Sequence, residues 1–205
     1  MAYILGFFTA DGNMIKNKRG AHFIEFEITD KDLLEKIRKL LNSNHKITAR
    51  KRNNNYKTSY RLQIGSKTIF NDLLKLGLTS NKSKTIKLPK IPTKYFSHFV
   101  RGYFDGDGNV TFGFFKKSDR KSKSPVLLTR FTSGSKNILE TLKEKLIGLL
   151  KTTGSLCYSK NNAWVLSYST NDSKRLFKFM YSNDNTKNLI YLKRKYNIYL
   201  AAGVA

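Results

Sequence analysis

The chain has 205 residues, 40 % of them apolar, and carries 39 Lys and Arg against 14 Asp and Glu, a net charge of +25. That balance supports a packed core in one domain or two small ones and argues against disorder. It also excludes several classes: no apolar run reaches the ~18 residues a membrane span needs, no stretch is patterned as a signal peptide, and the single cysteine, Cys157, rules out internal disulfides and a cysteine-rich zinc site.

The elements follow in chain order from hydrophobic period and turn chemistry. Residues 2–10 are apolar and close at Asp11-Gly12, a helix with a glycine stop. Strands are predicted at 13–18 and 22–28, joined by a turn at Arg19-Gly20, with Ile24, Phe26 and Ile28 alternating with Glu25 and Glu27. A capping-box-like start at Thr29 opens a helix to about Leu41. Residues 47–52 and 59–64 form a hairpin around Asn53-Asn54-Asn55, and a helix over 67–76 ends at Gly77. The stretch KLPKIPTK, 87–94, holds two of the three prolines and reads as a linker. Beyond it the order recurs: a helix over 94–105, strands at 109–117 and 125–132, and a helix over 135–150. A hairpin over 154–160 and 163–169 follows, then helices over 174–181 and about 190–200. Cys157 and Trp164 both fall in strands and are expected to pack in the core.

The chain is therefore a duplication. ILGFFTADG, residues 4–12, corresponds to VRGYFDGDG, residues 100–108. The expected fold class is α+β: two pseudo-symmetric αββαββα repeats, 1–90 and 91–205, each with a four-stranded antiparallel sheet. A glycine inside a helix costs about 1 kcal/mol against alanine. Two at matched places, Gly6 and Gly102, point to helix backbones in close approach. Such packing would bring Asp11 and Asp107 to the same level. Two close carboxylates repel unless a cation lies between them, and Mg²⁺ is held by a few carboxylates plus waters and phosphate oxygens.

A positive field of this size favours a polyanion. Nucleic acid fits better than anionic lipid, because the cations spread through strands and are not gathered on one amphipathic helix. The strand faces turned away from the helices are expected to carry Lys16, Lys18, Arg50, Arg52, Arg61, Gln63, Lys116 and Arg130, with Lys160 beside the second hairpin tip. Each half would then offer a basic, amide-rich sheet, and β-ribbons fit the DNA major groove. The three histidines lie in different elements and make no ligand set.

With both copies of the phrase followed by the same strand and helix order, the chain resembles the LAGLIDADG homing endonucleases of the single-chain, two-motif kind. The resemblance covers nearly the whole sequence and implies two repeats packed through their motif helices. It implies that Asp11 and Asp107 are the catalytic, metal-binding acids, with the backbone carbonyls of Ala10 and Gly106 completing the shell. Gly6 and Gly102 would be the helix-interface glycines, and Asp105, opposite Thr9, would not be a ligand. Lys82 and Lys195 match the catalytic basic residues, with Lys187 a rival for the second. Glu27 and Arg130 stand where a residue positioning water or DNA is found.

The implied activity is Mg²⁺-dependent double-strand cleavage of a long asymmetric DNA site, leaving short cohesive ends. Mn²⁺ is expected to substitute, and Ca²⁺ to support binding without cleavage. The protein is expected to act as a monomer in a reducing compartment, a prokaryotic cytoplasm or organelle matrix, as an intron- or intein-associated mobile element. A non-cleaving relative, an intron maturase that binds its own intron RNA or a regulator, is the alternative; both motif acids being present favours the enzyme. A splicing domain is not expected, since the chain ends LAAGVA, and a structural ribosomal protein would not explain the duplicated acids.

Overall fold

The structure is a computed structural model that describes residues 1–51, 57–80, 84–116, 122–160, 162–182 and 189–204. It divides into two compact units, Met1–Lys82 with Pro89–Gly106, and Ser83–Leu88 with Asp107–Ala205.

The first unit holds helices α1 (Ala2–Asp11), α2 (Lys31–Leu40) and α3 (Lys67–Lys75). Its sheet is built from β1 (Asn13–Lys16), β2 (His22–Ile28), β3 (Ile47–Arg50) and β4 (Ser59–Gly65), in the order β1-β2-β4-β3. All its pairings are antiparallel. Helix α4 (Thr93–Asp107) belongs to this unit as far as Gly106. The register places Ile24 opposite Ile64 and Phe26 opposite Leu62, and these four side chains form the buried face of the sheet. Phe7 and Phe8 of α1 lie against Phe26, with ring centroids 6.3 and 5.2 Å apart. Leu33, Leu34 and Ile37 give α2 its buried stripe at helical spacing.

The second unit repeats the plan with β5 (Gly108–Lys116), β6 (Lys123–Ser133), β7 (Ser155–Ser159) and β8 (Ala163–Tyr168) in the order β5-β6-β8-β7. Its helices are α5 (Lys136–Leu150), α6 (Thr170–Tyr181) and α7 (Lys193–Ala201). Leu127, Thr129 and Phe131 of β6 alternate inward, and the Tyr199 hydroxyl of α7 meets Thr129 Oγ1 at 2.7 Å. Phe177, Tyr181, Tyr196 and Tyr199 pack as one aromatic cluster.

Helix ends depart from expectation in three places, and agree with it in one. Gly77 does close α3: it takes a positive φ of 83°, its N–H reaches Leu74 O, and Leu78 N–H reaches Leu73 O, the paired bonds of a Schellman cap. Gly12, in contrast, is extended at φ −76°, ψ 149°. What demands glycine there is space, since a Cβ would strike the ring of Phe8. The capping box expected at Thr29 does not form, because α2 starts at Lys31 behind Asp30, and neither side chain bonds the helix end. Helix α6 begins at Thr170, four residues before the predicted start, and the Thr170 hydroxyl accepts the Leu127 N–H at 3.1 Å.

Candidate active site and nucleic-acid surfaces

Within the first unit, α1 and α4 meet through their glycines. A Cβ on Gly6 would collide with the carbonyl oxygen of Phe99, and one on Gly102 with that of Tyr3. The obstacles are backbone atoms, which cannot swing aside. The same crossing is tied by a buried hydrogen bond from Tyr3 Oη to Asp105 Oδ2 at 2.7 Å, with the Arg101 guanidinium 5.6 Å from the Tyr3 ring centroid. Asp105 is thus a fully buried structural acid. His98 serves this network through a 2.9 Å contact between Nδ1 and Arg101.

The close approach continues to the helix ends. A Cβ on Gly106 would meet the Cβ of Ala10 and stand 3.6 Å from Asp11 Oδ2. The Asp11 carboxylate, at the exposed end of α1, therefore lies beside the residue that precedes Asp107 in the chain. Both acids terminate helices, where unsatisfied carbonyls give a partial negative charge. Among the described residues no group of three or more His, Cys, Asp or Glu side chains forms a closed metal cage. Carboxylates and helix-end carbonyls are the kind of oxygen donors that Mg²⁺ takes, beside waters and phosphate oxygens.

Lys195, the predicted second-half base, lies in the first turn of α7, is only 4 % exposed and donates from Nζ to Gly108 O at 2.6 Å. Its ammonium is thereby fixed one residue beyond Asp107. Lys82, Lys187 and Arg52 lie outside the described residues.

The outward face of the first sheet is an ion-pair lattice. Glu27 accepts from Arg50 Nη1 at 3.0 Å and from Ser59 Oγ at 2.7 Å. Glu25, 9 % exposed, accepts from Arg61 Nη1 and Gln63 Nε2, each at 3.3 Å. Arg50, Arg61, Gln63 and Glu27 hold the predicted face, and Glu25, named only as part of the alternation, joins them as the partner of two. Its place opposite Gln63 follows from the β2–β4 register, which neither strand shows alone. Lys16 does not share this face. It pairs with His22 and has the parity of buried Met14, so it emerges on the helix side at the strand end. Lys18 lies in the turn beyond β1.

The second sheet corrects the expectation of a basic surface. Alternation in β6 puts Val126, Leu128, Arg130 and Thr132 outward. Their partners are Gly113, Thr111, Asn109 and, on β8, Val165. Arg130 is the one charged side chain on this face of the described strands. Lys116 pairs with Lys123 on the opposite parity, past the end of the core, and Lys160 is exposed at the β7–β8 turn. Cys157, expected in the core, is exposed on the outward face opposite Val165, because Leu156 and Tyr158 take the inward positions of that short strand.

Comparison with known proteins agrees with this architecture. Residues 1–76 match the model of the LAGLIDADG-like domain. The chain is 31 % identical over 140 residues to the DNA-directed RNA polymerase subunit Rpo1C of Methanocaldococcus jannaschii, covering 67 % of this chain and 14 % of that protein. It is 26 % identical over 117 residues to an uncharacterized protein of the same organism, covering 54 % of this chain and 39 % of that one. It thus spans well under half the length of either relative. Among solved structures, the I-LtrWI LAGLIDADG homing endonuclease bound to target DNA superposes with a TM-score of 0.64 at 16 % identity, covering 98 % of this chain and 89 % of that one. I-SmaMI bound to uncleaved DNA target in the presence of calcium ions gives 0.65 at 15 %, covering 98 % and 88 %. The first 76 residues thus match the LAGLIDADG-like domain, and the chain as a whole shares the two-sheet α+β fold of solved LAGLIDADG homing endonucleases.

Proposed function

We propose that the protein is a site-specific DNA endonuclease that hydrolyses one phosphodiester in each strand of a long asymmetric duplex, with a divalent cation, Mg²⁺ foremost, and leaves short cohesive ends. The observation that carries this reading is the glycine-interlocked crossing of α1 and α4, which sets the Asp11 carboxylate beside Gly106. A crossing that admits no Cβ at Gly6 or Gly102 is more than a sheet-bearing scaffold needs. It holds two helix ends in fixed register, as a reaction centre requires.

In this reading Asp11 and Asp107, with the carbonyls of Ala10 and Gly106, would hold the cation, one acid for each strand. A cation held there would supply Lewis-acid chemistry for an attacking water and a departing oxygen. The buried Lys195 anchors the turn after Asp107 and offers positive charge beside the scissile phosphate, and Lys82 is assigned the corresponding task for the first half. The halves 1–90 and 91–205 each contribute one DNA-reading sheet, so a monomer suffices. A chain of this kind travels with an intron or intein in a prokaryotic cytoplasm or organelle matrix.

The test is cleavage of a randomised duplex library with Mg²⁺ and with Ca²⁺ by wild type, Asp11→Asn and Asp107→Asn. The expected result is selective double-strand cutting with Mg²⁺, at least a hundredfold weaker in each variant, and binding without cutting in Ca²⁺. Tight, salt-sensitive binding with no cut under any metal would overturn the enzyme and leave a binding protein on the same fold.

A further inference from the structure

The two outward sheet faces differ in chemistry. On the first, every described charged side chain is engaged in Glu–Arg or Glu–Gln hydrogen bonding. On the second, the central strands show methyl groups: Val126, Leu128 and Val165 are half-buried, and Thr111 and Thr132 flank them. A half-exposed aliphatic row on an open sheet needs an apolar counterpart. The cations at the sheet's ends, Lys116, Lys123 and Lys160, all exposed, favour a polyanion as the occupant over an apolar protein surface.

One feature of the DNA major groove is apolar: the C5-methyl of thymine, which pairs with aliphatic side chains and threonine methyls. Guanine, cytosine and adenine are read instead by Arg, by Glu and by Gln or Asn. We propose that the second unit reads a thymine-rich half-site by methyl contact, with Arg130 marking a single guanine within it, while the first unit reads its half-site by hydrogen bonds. The proposal rests on duplex DNA being the ligand and adds which half-site is read by which chemistry.

The experiment enriches a random duplex library for binding to the full-length chain in Ca²⁺, then replaces thymine by uracil, which removes only the C5-methyl. Leu128→Asn and Val165→Ser, which remove the side-chain methyls from the open face and whose folding is checked by thermal melting, identify the half-site read by the second unit. That half-site is expected to be thymine-rich. Each uracil in it should weaken binding roughly fourfold, the value of one buried methyl. The variants should lose most of that penalty, and uracil in the other half-site should change little. Enriched sites without thymine bias in that half, or an unchanged Kd with uracil, would overturn the proposal and leave the DNA reading intact. No enrichment at all would overturn both, and it would show with wild type before any uracil is introduced.

Discussion

Asp172 shows what one buried acid contributes away from the proposed site. Its side chain is 5 % exposed in the first turn of α6. Burial alone would raise its pKa. Hydrogen bonds from the Thr153 N–H and hydroxyl, each 2.9 Å, the Gly154 N–H and the nearby Arg175 outweigh that and hold it below the ordinary carboxylate value. A depressed native pKa means stability that is present above the unfolded-state value of about 3.9 and lost as pH falls through the native one. Asp172→Asn should therefore lower the melting temperature at pH 7. The gap between variant and wild type should shrink steadily from pH 5 to pH 2. A gap independent of pH would show that the site works by shape and not by charge.

At the scale of elements, the α1–α4 crossing gives the sharpest sign test. In an isolated helix Gly→Ala stabilises by about 1 kcal/mol. At Gly6 and Gly102 the new methyl would meet backbone of the facing helix, and overpacking of that kind costs about 3 kcal/mol or more. Gly148 of α5, with nothing within 4 Å of its Cβ position, is the control and should gain up to about 1 kcal/mol. Urea unfolding midpoints for the three alanine variants decide it: a neutral Gly6→Ala would remove the interlock from the argument. This crossing was legible in the sequence because two glycines recur at matched positions of two apolar helices. The sheet cores were legible from the alternation of Ile24, Phe26, Leu62 and Ile64. The outward faces were less so. Lys16 shares the parity of buried Met14, and Lys116 that of buried Val110, so alternation turns both toward the helix side, and their charge alone had suggested the open face. Cys157 was misplaced because its hydrophobicity suggested burial, whereas register with Val165 decides the face. Side-chain pairing, as between Glu25 and both Arg61 and Gln63, requires knowing that β2 lies beside β4, which is a property of topology and not of either strand.

For the whole molecule, little of the net charge of +25 sits on the described outward faces of the two sheets. On the first outward face two arginines are balanced by two glutamates, and on the second Arg130 is alone among the described strand residues. The excess belongs to strand ends, turns and helices, positions suited to phosphates. Phosphate contacts carry affinity and salt dependence, and base contacts carry selectivity. Affinity and selectivity should therefore separate by substitution. The slope of log K against log salt should be about −5 or steeper for wild type, as six or more phosphate contacts require. Lys116→Gln and Lys160→Gln should each flatten that slope by about one and weaken all sequences alike. Arg130→Gln should instead relax preference at one base pair of one half-site, a loss of roughly 1–3 kcal/mol of discrimination. Filter binding at 50 to 300 mM KCl on matched and mismatched duplexes reads both quantities. A shallow wild-type slope, or lysine variants that alter base preference while Arg130→Gln alters only the slope, would reverse this division of labour between the edges of the sheets and their faces.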